Sequence, residues 1–227
     1  MKKIACLFFA NWLMVCLVSK INKFLNTTIM KKIVLVFSLT VATYTFQACN
    51  SGSSTQDSVD SAKDMNAMKD TTAMMNRDSV ITTPVDKDAS DFAVNVANAG
   101  MKEVALSQLA MQNATEQRVK DFASMMIKDH NEAADKLKGI ANTKNITLPA
   151  KVGDDAQKDI DKLSKKTGND FDKDYMHMML SDHKKAADDF QKAAKDCKDP
   201  DLKNFAIQTL PTILMHLDSA KAISERK

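Results

Sequence analysis

Four successive helical stretches each carry one ionisable residue on an apolar face: Glu103, His130, His183 and His216. Three neutral imidazoles and a carboxylate suit Zn(II), Fe(II), Cu(II) or Ni(II), and an ion held by all four would have little room for a substrate. The cofactor expected on this pattern is one divalent transition metal. Asp129 and Asp182 immediately precede two of the histidines and could act from behind the ligands, by fixing ring orientation. A different chemistry is also open. A buried ionisable group is costly unless it is paired, hydrogen-bonded or metal-bound, and a hydrogen-bonded polar layer can set helix register without binding anything.

Two catalytic readings fail on spacing. A carboxylate-bridged di-iron site needs a Glu three residues before each of two histidines. Here those positions hold Ile127, Leu180 and Ile213. No Ser-His-Asp or Cys-His arrangement is present either, since Cys197 lies about four helical turns from His183.

The elements that must position the quartet read as all-α. A helix is predicted over about 89–112, where Phe92, Val96, Ala99, Leu106 and Ala110 step by threes and fours and Glu103 takes one step of the stripe. A second follows the Asn113-Ala114-Thr115 junction, with Thr115 the expected N-cap. Its stripe is Val119, Phe122, Met126, His130, Ala133, Leu137 and Ile140. Residues 142–169 form a long connection with a short helix expected near 154–166. A third long helix covers about 170–197, its face made by Phe171, Tyr175, Met179, Ala186, Phe190 and Ala193, with Asp182 and His183 flanking it. His177 falls outside that sector and reads as a surface residue. The last helix opens at Asp199-Pro200, a cap followed by proline in the first turn. Pro211 sits inside it and should free the carbonyl of Ile207 as a kink or bulge.

Two helical hairpins joined by a long crossover make the ferritin-like four-helix plan. With that crossover, the quartet spreads over about 9 Å along the bundle axis, against about 10–11 Å for an up-down-up-down order.

The charge is divided along the chain. The first 48 residues hold six lysines and no acid; taken from the 32 basic residues, they leave 26 against 29 acidic ones. The formal charge of +3 thus becomes −3 without the leader. No basic patch with interleaved aromatics occurs, and nucleic acid is not an expected partner.

Residues 30–48 read as a lipoprotein signal peptide ending before Cys49, the expected lipidation site. Ala48 is suitably small, while Phe46 and Gln47 depart from the usual pattern. Residues 1–29 form a second leader with the same Met-Lys-Lys-Ile opening, as a start assigned too early would produce. The expected location is the bacterial envelope, at the outer membrane because Asn50 is not the acid that retains some lipoproteins at the inner one. Residues 49–87, polar and without aromatics, read as a disordered tether. Met65, Met68, Met74 and Met75 within it could bind a soft metal; a weakly structured linker is the preferred reading. Residues 88–227 are the expected four-helix domain.

The segments Asp91-Phe92, Gly100-Met-Lys-Glu103, Val119-Lys-Asp-Phe-Ala, Lys128-Asp-His130, Phe171-Asp-Lys-Asp-Tyr175, Asp182-His183 and Leu210-Pro211 with His216 carry a family resemblance. Over about residues 88–225 the chain resembles a ferritin-like domain-of-unknown-function family whose members are often labelled putative outer membrane protein or putative lipoprotein. The resemblance implies a four-helix bundle in the envelope and brings no activity. On the sequence alone the favoured function is a membrane-anchored, non-catalytic structural or interaction module, with protein partners unspecified. The alternative is a metal-binding protein with a His3Glu site.

Overall fold

The computed structural model describes residues 56–75 and 86–225. The two leader segments and the lipidation expected at Cys49 lie outside them. The described residues form six helices and no strand: α1 (Ser58–Met75), α2 (Lys87–Asn113), α3 (Gln117–Thr143), α4 (Asp154–Ser164), α5 (Gly168–Asp196) and α6 (Pro200–Ser224). Among them, no helix is long and apolar enough to cross a membrane.

Local chemistry sets the helix ends. Asp199 accepts from the amides of Asp201 and Leu202 at the start of α6, with Pro200 in the first turn. This satisfies donors that a helix start leaves orphaned. Thr115, the expected cap of α3, does not serve that way. Its hydroxyl instead donates to Asp172 of α5 at 2.6 Å, and Asp172 also accepts from the amides of Thr115 and Glu116 at 3.1 and 2.9 Å. A carboxylate 56 residues downstream thus ties the α2–α3 junction to the start of α5. α6 runs through Pro211 as one continuous helix. Pro211 and Ile207 both sit on its exposed side, where water can satisfy a freed carbonyl.

α2 packs on α3 and α5 on α6, and α3–α6 and α2–α5 contacts join the two pairs. Two apolar cores result. The first contains Leu106 and Ala110 from late α2, Val119, Phe122 and Met126 from early α3, Phe171, Tyr175 and Met179 from early α5, and Ala220 from late α6. The second contains Ala89 and Ala93, Leu137 and Ala141, Ala187 and Phe190, and Leu202, Phe205 and Ile213. On every long helix the quartet residue falls between the two sets.

The tether expectation for 49–87 is corrected over 58–75, which is helical and docked. Ala62 and Asn66 are buried. The Asn66 side chain donates to the carbonyl of Thr147 at 3.0 Å and accepts from its amide at 2.7 Å. Asp57 receives the amide of Asp154 at 2.6 Å, at the start of α4. Gly153 permits this approach: a Cβ there would stand 3.0 Å from both Asp57 and Val59. Polar composition suggested disorder because α1 lacks an apolar stripe. It is held by side-chain-to-backbone hydrogen bonds instead, which hydropathy does not register.

Candidate metal centre

The quartet comes together. His183 is fully buried, and His216, Glu103 and His130 nearly so. Ring centroids lie 5.8 Å apart for His130–His183, 5.4 Å for His130–His216 and 5.3 Å for His183–His216. One nitrogen of each ring falls within 4.8 Å of one from each of the others.

Each ring is held from behind. His183 Nδ1 lies 2.9 Å from the carbonyl oxygen of Met179, one turn earlier on α5. A carbonyl only accepts, so this nitrogen carries the proton and Nε2 keeps its lone pair. His216 Nε2 lies 3.0 Å from Asp129 Oδ2, which fixes the opposite tautomer and frees Nδ1. Glu103 spans the other two: Oε2 is 3.3 Å from His130 Nδ1 and Oε1 is 3.4 Å from His183 Nδ1. His130 Nε2, His183 Nε2 and His216 Nδ1 are left buried without a hydrogen-bond partner. The outer nitrogens of His183 and His216 are hydrogen-bonded, so their facing nitrogens present lone pairs, while His130 Nδ1 lies against the Glu103 carboxyl.

Burial governs the electrostatics. It lowers His130 to about 3, with His183 and His216 adding to the effect. It lowers His183 to about 4, assisted by His216 and opposed by the Met179 carbonyl. His216 is lowered by burial against the opposing pull of Asp129. All three rings are thus neutral at pH 7, the form that binds metals. Burial also pushes the Glu103 carboxyl up to about 8, with Asp182 adding and Lys102 opposing.

Glu103, expected among the ligands, stands behind two rings, and its residue type suits that orienting position equally well. Asp182, expected behind a histidine, pairs with Lys102 at 2.9 Å without an aligned hydrogen bond, and Lys102 also reaches Asp159 of α4 at 2.7 Å. Asp129 does orient a ring, though that of His216 rather than its neighbour His130. The Met179 carbonyl was invisible to a search by residue type. So was the buried hydrogen bond between Ser107 Oγ and Tyr175 Oη at 2.8 Å, one turn from the site. His177 is exposed, as its sector implied.

A family model described as a domain of unknown function, DUF4142, matches residues 75–223. No curated protein matches the chain. Among solved structures, the crystal structure of a DUF305 fragment from Deinococcus radiodurans aligns with a TM-score of 0.56 at 12% identity. The alignment covers 63% of this chain and 99% of that one. At this identity the likeness concerns the fold alone.

Proposed function

We propose that this chain, which belongs to the DUF4142 family of domains of unknown function, binds one divalent transition-metal ion through His130, His183 and His216. Glu103 and Asp129 act as the groups that orient the rings. The observation that carries this reading is the set of three buried nitrogens without partners, two of them on rings whose other nitrogen is already hydrogen-bonded. A polar layer serving only register would satisfy itself, because an orphaned buried polar atom costs about 1–3 kcal/mol. Buried imidazole nitrogens that face one another suit a cation between them. Bonds of about 2.0–2.1 Å imply nitrogen separations near 3.3 Å in a tetrahedral site, so the rings close by less than about 1 Å each on binding. Zn(II), Cu(II), Fe(II) and Ni(II) all accept imidazole.

The site's setting is read as a ferritin-like four-helix bundle. Late α2, early α3, early α5 and late α6 share one core, which supports α3 and α5 running parallel across a long crossover. The test is elemental analysis of the full chain after exposure to each metal, wild type against His183→Ala. One ion per chain, lost in the variant, is the expected result. A wild type that takes up no stoichiometric ion, from any of the four, sinks the proposal and returns the quartet to a register role.

The anchoring proposal rests on the leader residues. Cys49 would carry the lipid and hold the domain at the envelope, with the outer membrane the preferred site. Labelled palmitate should be incorporated into the wild type and not into Cys49→Ala; equal labelling overturns it.

A further inference from the structure

We infer that the proposed ion keeps one open coordination position, facing a cleft that admits a small monodentate ligand such as water, hydroxide or a triatomic anion. This rests on the His130–His183–His216 reading and extends it from a metal site to a metal-plus-ligand site.

The two sides of the histidine layer differ. One turn toward the first core stand Met126 before His130 and Met179 before His183, both fully buried, with Leu106 following Glu103. That side is filled. One turn toward the second core, every helix presents a small residue: Ala99 before Glu103, Ala133 after His130, Ala186 after His183 and Thr212 before His216. None of these four is buried, although each lies one turn from a buried group. A cleft of about 1030 Å³ passes over all four and reaches Glu103, His130 and His216. Ala187 and Ile213 are buried one turn away on the same side, so the cleft meets the layer at His130 and His216 and leaves His183 covered.

Coordination chemistry makes that asymmetry useful. Three imidazoles leave a four-coordinate ion one ligand short, and sites with three protein ligands keep that position for water or substrate. The Glu103 oxygens lie against His130 Nδ1 and His183 Nδ1, and Glu103 does not join the cluster of facing nitrogens. No other carboxylate or thiol joins the cluster among the described residues. The methionine side is occupied. The remaining position points to the side where Ala99, Ala133, Ala186 and Thr212 leave room. The Thr212 hydroxyl is the polar group nearest in sequence to His216 on that side, able to hydrogen-bond a coordinated oxygen or nitrogen. The ligand class follows from the last turn of the approach: small and monodentate, because Ala99, Ala133, Ala186 and Thr212 flank it, while the charged lining, Lys102 and Asp182 among it, belongs to the wider cleft.

Azide binding to the Co(II)-loaded full chain tests this. The expected result is a saturable shift of the visible Co(II) absorption bands in the wild type. Ala133→Leu and Ala186→Leu place bulk in the cleft at two separate helices. Either should take up Co(II) at wild-type stoichiometry and bind azide at least about tenfold more weakly. Absence of Co(II) uptake by a wild type that also takes up none of the other four ions defeats the parent metal-site reading, and refusal of Co(II) alone, at a site open to the others, defeats this inference. Co(II) uptake with a spectrum indifferent to azide defeats this inference alone, whatever the variants do. Azide affinity unchanged in a folded Leu variant also overturns it, because the ligand would then arrive from elsewhere.

Discussion

Asp172 and the histidine layer are two buried polar clusters with opposite arrangements. Asp172 is an acceptor surrounded by donors: two amides and a hydroxyl point at it, and none of its oxygens is orphaned. The histidines turn three nitrogens toward one another, and none of the three has a hydrogen-bond partner. Both clusters lie where helices meet and both hold residues far apart in sequence. Burial alone does not distinguish a structural polar group from a ligand-binding one. Whether its hydrogen bonds close among protein atoms does.

The comparison can be broken in three measurements. The largest effect concerns stability without metal. Asp172→Leu should lose about 3 kcal/mol in denaturant unfolding, since it removes a charged acceptor and orphans its donors. His183→Leu in the metal-free protein should change stability by less than about 1 kcal/mol, because an apolar side chain relieves an unsatisfied one. Equal losses at the two positions would erase the distinction. Added metal should then stabilise the wild type and not His183→Leu.

Next comes the pH dependence of the metal-free protein. The three histidines have native values below the ordinary 6.5, so the unfolded chain binds more protons below 6.5, down to about 4 for His183 and about 3 for His130. Stability from these rings is present above 6.5 and lost as pH falls through that window. Glu103 is raised from 4.5 to about 8, so its contribution is present below 4.5 and lost as pH rises toward 8. Three rings outweigh one carboxyl below 6.5, and Glu103 alone acts above it. Stability should therefore peak near the ordinary histidine value and decline on both sides, as thermal melts across pH 4.5–8 would record. A flat profile would remove the buried-neutral assignment.

The smallest effect belongs to Ser107 and Tyr175, a closed pair one turn from the open layer. Ser107→Ala and Tyr175→Phe should each cost about 1–2 kcal/mol, by orphaning the other hydroxyl. The double variant should cost less than the sum by about 1 kcal/mol. Simple additivity would place Tyr175 Oη outside any shared bond.

Helical periodicity made the long elements legible. Phe92 and Phe122 and the stripes around them fixed which faces turn inward, and the quartet stood out because ionisable types interrupted those stripes. Roles within the site were less legible. Residue type cannot tell whether Glu103 sits in front of an imidazole or behind it, since both positions want a carboxylate. The contribution of Met179 is a backbone carbonyl, which every residue has. Asp172 lay within a recognised segment, yet its action on Thr115 depends on tertiary approach across 57 positions. α1 was missed for a related reason. Asn66 and Asp57 hold it through backbone groups of the connection that follows α3, and such partners leave no trace in hydropathy.

The division of the histidines between helix pairs bears on the order of folding. His130 belongs to the α2–α3 pair, while His183 and His216 belong to α5–α6. Contacts within each pair are comparatively local, and those joining the pairs span long loops, so the pairs form early and dock late. An ion on all three rings can bind only after docking. It would act as a clamp on the last step, slowing the separation of the pairs while leaving the formation of each untouched.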